Sequence, residues 1–306
     1  MRTSELGLFF QSLGHRVVQT RNSFWYRTHD FLYKPVVDHI FDPSTDELMK
    51  VLMTGPALAV RYSGFPGHDS PDGALYICSD TDYGLSSLSA NARSHTRRGL
   101  RRCAVEELDF RYLARHGHAL TQETNLRQTG KFSSTTQEQW ERYCRLASST
   151  EGFEAWGAFV DLRLAAFVVA ILVEGCFYIH LQKSCTELHK HYPNNALLFT
   201  VVKSAIIRPE VDYILHSGTP LTINEGLHHF KLSMGFRLRP YKEQIIFNPL
   251  VRPIINRPVS MMVDRLARRY PRNPFWRQAS RALHIGREAQ PGFAQPLAPA
   301  ESFRFP

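Results

Sequence analysis

The chain has no Cys-x-x-Cys pair, and its five cysteines, Cys78, Cys103, Cys144, Cys176 and Cys185, make an odd count. That pattern offers neither a zinc site nor a disulfide framework, so reduced thiols of a cytoplasmic protein are the simplest reading. His228 and His229 are adjacent, without the His-x-x-x-His spacing and carboxylate partner of a zinc helix, and no metal is expected. No apolar run approaches the roughly 20 residues of a transmembrane helix. At the N-terminus the apolar stretch Leu8–Leu13 is short and broken by Gln11, which does not fit a signal peptide. A soluble cytoplasmic protein is expected, with peripheral attachment at the inner membrane as the variant. No internal repeat is visible. Acidic residues are outnumbered by basic ones, 28 to 37, giving a net charge of +9 and a pI near 9.4. Such a balance suits an anionic partner, whether phosphate, RNA or an acidic lipid surface, and does not choose among them.

What is present is a long α/β pattern. With 306 residues, 43% of them apolar, the chain can bury one large core or two smaller ones in tandem, and the pattern of two unequal halves favours the second. Between Gly157 and Phe247 the order is strand, strand, strand, helix, strand, helix, strand. Leu164–Val173 is a nearly unbroken apolar run whose length suits a strand covered on both faces. Glu174-Gly175 turns the chain. Phe177, Ile179 and Leu181 then alternate with Tyr178, His180 and Gln182, which predicts one core face and one face carrying three hydrogen-bonding side chains. Alternation of this kind also describes a solvated sheet face.

The basic, turn-rich segment from Lys183 to Asn194 follows, with Asn194 as the expected N-cap of a helix over 195–207. Free backbone N–H groups there, beside Lys183, Lys190 and two histidines, form a candidate anion site. The strand Val211–His216 is expected to stop sharply at Ser217-Gly218-Thr219-Pro220, at the sheet edge where ligands of open α/β sheets bind. In the next helix, Leu227, Phe230 and Met234 form the core stripe, Gly235 ends the helix, and Glu225, His228, His229 and Lys231 lie off that stripe.

Gly226-Leu227, Phe230-Lys231 and Gly235-Phe236, after a strand ending in Ser217-Gly218, resemble the signature of the Fem-type branch of the GNAT acyltransferase superfamily, which includes aminoacyl transferases of cell-wall assembly. Upstream, Arg93-Ser94-His95-Thr96-Arg97-Arg98-Gly99-Leu100-Arg101-Arg102 looks like the basic helix that joins the two halves of those proteins. The resemblance spans roughly residues 20–250. It implies a mixed α/β sheet of GNAT-like fold, in two unequal halves, that moves an activated acyl group to an amine acceptor. It also implies that Lys231 balances negative charge near the reacting centre, as a fixed ammonium for an oxyanion or a phosphate. His180 and His216 are the candidate bases, on the ordinary pKa of imidazole. Tyr178, Gln182, Ser217, Asn194, Lys190 and Glu225 are the candidate substrate-binding residues. Trp140, Tyr143 and Trp156 are assigned by the resemblance to an acceptor pocket, with core packing as the competing role.

One departure bears on the donor. The glycine loop that receives the CoA pyrophosphate in GNAT enzymes is replaced here by Tyr192-Pro193-Asn194-Asn195-Ala196. Only glycine lets backbone N–H groups approach that closely, so the donor is left open: aminoacyl-tRNA, another activated acyl carrier, or acyl-CoA bound atypically.

The expected divisions are an N-terminal half over 1–110 ending in the arginine-rich helix, a second GNAT-like domain over 111–250, a basic helical extension over 251–287 and a disordered tail over 288–306. Strands are expected near Ser23–His29, Ala57–Tyr62 and Ala74–Ser79, with a helix capped by Thr45 or Asp46 and a loop at His68–Gly73. From Arg252 to Arg287 there are nine arginines and a single acid, Asp264. Two apolar stripes there either dock on the domain or present a basic face to an anionic membrane or RNA. The alternative to an enzyme is accordingly a non-catalytic GNAT-like module that binds RNA or an anionic membrane surface.

Overall fold

A computed structural model of the protein describes residues 1–28, 32–55, 57–66, 71–220, 225–271 and 274–288. In chain order its elements begin with α1 (Thr3–Ser12), β1 (Val17–Gln19), β2 (Phe24–Arg27), β3 (Leu32–Pro35), α2 (Thr45–Met53), β4 (Ala59–Gly64) and β5 (Gly73–Cys78). Next come α3 (Ala90–Arg102), β6 (Ala104–Glu107), α4 (Phe110–Thr129), α5 (Gln137–Ser148), β7 (Phe153–Val160), β8 (Arg163–Val173) and β9 (Cys176–Ser184). The last are α6 (Pro193–Ile206), β10 (Tyr213–Pro220), α7 (Glu225–Ser233), β11 (Arg237–Phe247), α8 (Arg257–Arg269) and α9 (Pro274–Glu288). Most of the expected tail, residues 289–306, lies outside the described residues, as do residues 68–70 of the expected loop.

The strands form one mixed sheet in the order β1-β2-β3-β4-β11-β5-β10-β9-β8-β7-β6. The sheet is continuous because β5, from the first third of the chain, inserts between β10 and β11, and β11 in turn pairs with β4. Mixed α/β architecture is therefore as the apolar patterns predicted. Every residue from Leu164 to Ile171 is buried, which is why this run reads as unbroken hydrophobicity rather than alternation. One side of the sheet packs Tyr76, Ala166, Val168, Phe177, Ile179 and Ile214 against α3, α6 and α7. The opposite side packs Leu75, Phe167, Val169, Ile171, Tyr178 and Leu215 with α1, α4 and α5. Each such large apolar side chain contributes about 1.5–3 kcal/mol on burial.

Several local expectations are corrected. Ser44, not Thr45 or Asp46, caps α2, because its hydroxyl accepts from the Glu47 N–H while the Glu47 carboxylate returns to the Ser44 N–H. The strand expected to stop at His216 runs on through Pro220: β10 bulges after His216 and resumes pairing with β5 at Thr219↔Ala74. Asn194 is not an N-cap. Helix α6 starts two residues earlier than expected, at Pro193, whose fixed φ and missing N–H suit a first turn. The preceding residue, Tyr192, takes a left-handed conformation (φ 60°) and stacks on His95 at 4.4 Å.

That stacking is part of a close approach of α3 to the start of α6. A Cβ on Gly99 would stand 2.7 Å from the Tyr192 carbonyl oxygen and 3.0 Å from the Ala196 Cβ, so only glycine fits. Gly99→Val should cost about 1–3 kcal/mol by overpacking this contact. Chemical denaturation measures the loss, and unchanged stability would mean that α3 and α6 are not held at this distance.

Candidate functional site at the opening between two parallel strands

Strands β9 and β10 run parallel and pair from Cys176↔Tyr213 to Ile179↔His216, then separate. The separation has a local cause. Opposite β8 the register of β9 shifts, Val169 pairing with Leu181 and Ala170 with Ile179, so His180 is an extra residue in a β-bulge. A bulge bends its strand and leaves one residue unpaired. It also reverses the expected grouping of side chains. Tyr178 lies on the α4–α5 side, with its hydroxyl donating to Asp38 Oδ2 at 3.3 Å, whereas Gln182 pairs opposite Val168 and lies on the α6–α7 side. Tyr178 and Gln182 therefore do not share a face, because period-two alternation holds only while the ladder is regular.

Beyond the separation, a cleft of about 710 Å³ opens between the strands and α6–α7. Lys231, His216, His180, Gln182 and Asn194 all line it, together with Arg127 and His189. A hydrogen-bonded chain runs along its wall. Gln182 Nε2 donates to Asn194 Oδ1 at 3.2 Å, Asn194 Nδ2 donates to Ser184 Oγ at 3.0 Å, and Ser184 Oγ meets His189 Nε2 at 2.9 Å. Arg127 Nη2 donates to the same Ser184 hydroxyl at 3.1 Å. Because Gln182 uses its amide nitrogen on Asn194, its Oε1 accepts from His216 Nε2 at 2.9 Å. That assigns the proton to Nε2 and leaves His216 Nδ1, which is buried and unpartnered among the described residues, as a bare acceptor.

Lys231 is the unusual residue of the site. The amphipathic pattern placed it off the buried stripe, yet it is 1% exposed. Helix α7 lies against the opening with Lys231 turned inward, its Nζ 4.3 Å from the Tyr76 ring centroid and 3.4 Å from the His216 carbonyl oxygen. The Tyr76 hydroxyl is itself held by His228 Nδ1 at 2.7 Å. Burial pulls the Lys231 ammonium down to about 7, against a partial restoring pull from Asp38. His180 falls to about 4, through burial and then the charges of Lys34 and Lys183. His216 falls well below its ordinary range through burial and then Lys231. Both imidazoles are thus neutral hydrogen-bonding groups at neutral pH rather than bases of ordinary strength, and Lys231 is the group whose charge changes near pH 7.

A second cleft of about 780 Å³ lies on the α4–α5 side and shares His180, Leu181 and Lys183 with the first. Trp140 and Tyr143 line it, with His15 and Arg27 from the N-terminal region. Trp156 does not; it packs in the core of the α3–α6 side and donates to Glu154. The Tyr143 hydroxyl and His180 Nδ1 are buried without partners among the described residues, and their rings stack at 6.2 Å.

The remaining sequence candidates stand apart. Lys190 is exposed on the turn His189–His191, where its carbonyl accepts from Arg102. Glu225 is exposed at the start of α7 and does not line the cleft. Ser217 is in β10, but its side chain lies outside the described residues. Sequence reasoning missed Tyr76, Ser184, Thr124 and Arg127. Thr124 and Arg127 approach from α4, sixty positions away, where Thr124 Oγ1 accepts from the Ser184 N–H at 2.9 Å and donates to its carbonyl at 3.1 Å. No local motif announces such a contact.

No family profile and no curated protein matches the chain. Solved structures do. The crystal structure of FemX superposes with a TM-score of 0.58 at 14% identity, over 82% of this chain and 93% of that one. The fold is GNAT-like, of the Fem type. The C-terminal domain of a putative lysylphosphatidylglycerol synthetase from Agrobacterium fabrum gives a TM-score of 0.54 at 12% identity, covering 79% of this chain and 87% of that domain. L-PGS from Bacillus licheniformis gives 0.53 at 16% identity, covering 86% and 90%. Among the described residues, no group of three or more His, Cys, Asp or Glu side chains is gathered as for a metal ion, and no helix is long and apolar enough to cross a membrane.

Holding Lys231 in this position is costly, and the cost has a pH signature. Between its folded value of about 7 and an unfolded lysine near 10.4, the unfolded chain carries one more proton, so stability rises with pH across that window. Lys231→Met should be more stable than wild type at pH 6 by about 2–4 kcal/mol, the proton linkage less the lost contacts of the ammonium, among them the Tyr76 ring and the His216 carbonyl oxygen, and the gap should close towards pH 10. Urea titrations of both proteins across this range check it, parallel pH profiles being the contrary outcome.

Proposed function

We propose that the protein transfers an activated acyl or aminoacyl group to an amine, with donor and acceptor meeting at the opening between β9 and β10. The buried Lys231, lining a cleft that shares His180, Leu181 and Lys183 with a second one, is the observation that carries this reading. In the reaction the amine nitrogen attacks the donor carbonyl, a C–N bond forms and the C–O or C–S bond to the carrier breaks. Charge gathers on the carbonyl oxygen, where the Lys231 ammonium meets it in a site poorly screened by water. Lys231 can pass its proton to the departing oxygen or sulfur and recover one from the attacking nitrogen, since a group with a value of about 7 exchanges protons readily at neutral pH. His216 and His180 would serve as neutral hydrogen-bonding groups of the site rather than as bases.

The residues do not fit a pyrophosphate bound by backbone amides at the start of α6. Pro193 has no N–H, and α3 closes on the Tyr192 carbonyl at Gly99. Side chains fit better. Arg127, Lys183 and His189 line the first cleft and can meet donor phosphates, whether these belong to aminoacyl-tRNA or to acyl-CoA. An amine acceptor would then enter from the second cleft, past Tyr143 and Trp140. The likeness to the C-terminal domain of a putative lysylphosphatidylglycerol synthetase is consistent in kind with aminoacyl transfer to an acceptor.

Incubation with acyl-CoAs or charged tRNA and a panel of amines, read by mass spectrometry, tests the activity; no new amide with any pair would count against it. With a working pair, Lys231→Met should lower kcat by about two orders of magnitude. Donor affinity should also weaken from pH 6 to pH 8 in the wild type as Lys231 loses its charge, and stay flat in the variant. A variant of unaltered kcat would remove Lys231 from the chemistry.

A further inference from the structure

The two C-terminal helices divide their labour. Helix α9 is anchored on the sheet: Ile285 packs with Ala59 and Ile245, and Gly286 lies so near the Phe247 ring that an added Cβ would clash. Buried Glu243 on β11 is held from both sides, by Arg61 at 2.6 Å and by Arg281 of α9 at 2.7 Å. Arg281 is thus part of the fold. Helix α8 rests on α9, with Ser280 and His284 meeting Asp264 at 2.6 Å and 3.2 Å. Only Ser260 and Val263 of α8 are buried.

The outer face of α8 reads differently. Arg257, Met261, Arg265 and Arg268 follow one another at helical spacing, with Met262 and Arg269 beside them, and all six are exposed. Met261 is 47% and Met262 55% exposed, Tyr270 at the end of the helix 49%, and Leu250 and Ile254 just before it 73% and 65%. Five large apolar side chains exposed within one short stretch, interleaved with arginines, are more than a soluble surface needs. The only acid on α8, Asp264, is already engaged by α9, so the outward charge is wholly positive.

We propose that the outer face of α8 and the turn before it form an interfacial anchor that lays the protein on an anionic phospholipid bilayer. Apolar side chains enter the headgroup boundary while arginine stems lie along it and their guanidinium groups meet lipid phosphates. Nucleic acid would use the arginines but gains nothing from Met261, Met262, Leu250 and Ile254, and it is the apolar half of the face that selects the bilayer. The inference is independent of the chemistry at Lys231.

Sedimentation of the full chain with phosphatidylcholine vesicles, with and without phosphatidylglycerol, tests it. Binding is expected only to the anionic vesicles and should weaken with salt. Replacing Arg265, Arg268 and Arg269 together by Gln should lower the partition about 100-fold, and Met261→Ser with Met262→Ser about 10-fold at every salt concentration, both with an unchanged melting temperature. Vesicle binding that is absent or indifferent to either set of changes would overturn the proposal. So would tighter binding to poly(U) RNA that loses strength with the arginines and not with the methionines, or an arginine variant that fails to fold.

Discussion

Parallel strands hold together by evenly spaced backbone hydrogen bonds, and once two of them part in the middle of a sheet, the exposed edges need other partners. In this protein β9 and β10 part after four paired positions, and the rest of the site is arranged around that gap. The bulge at His180 bends one strand away, and the bulge after His216 lets the other stay with β5. Thr124 from α4 takes over the backbone groups of Ser184, while the side chains of Gln182, Asn194 and Ser184 form a polar wall across the opening. A gap through a sheet gives access from both sides, which suits a reaction that joins two substrates of different character.

Lys231 is the second constraint. A buried ammonium loses its hydration, which groups such as the His216 carbonyl oxygen and the Tyr76 ring help to replace, and its lowered proton affinity shows that burial still works against the charge. Such an arrangement does nothing for stability, and buried titratable groups of this kind are concentrated at functional sites. The same low polarity that lowers its proton affinity would strengthen its attraction for charge developing on a bound carbonyl. The lowered imidazoles follow from the same burial, and they shift the expected division of roles from histidine base and lysine charge towards one lysine serving both.

Much of the fold was legible in the sequence because its strands and helices carry strong apolar patterns. The nearly unbroken run Leu164–Val173 announced a doubly covered strand, and Gly226-Leu227, Phe230-Lys231 and Gly235-Phe236 announced the type of fold. What was not legible depended on non-local pairing. Nothing in Gly73–Cys78 reveals that β5 inserts between β10 and β11, and nothing in Cys176–Ser184 reveals the bulge that moves Gln182 to the face opposite Tyr178. Lys231 was picked by resemblance, while helical periodicity put it on the wrong face: the stripe of Leu227, Phe230 and Met234 cannot show that the opening in the sheet lies under its edge. Asn194 was found, with a different role, since its side chain braces Gln182 and Ser184 instead of capping a helix.

The central claim is spatial: an activated carbonyl comes to rest in the opening between β9 and β10, beside Lys231. Crystals grown with a thioether analogue of acyl-CoA, and separately with a 3′-amide analogue of the aminoacylated terminal adenosine of tRNA, test it most directly. One of the two is predicted to bind with its carbonyl oxygen within about 3 Å of Lys231 Nζ and its phosphates towards Arg127 and Lys183. Both analogues bound elsewhere, for instance in the cavity bounded by Asp38, Tyr213 and Arg239, would contradict the account.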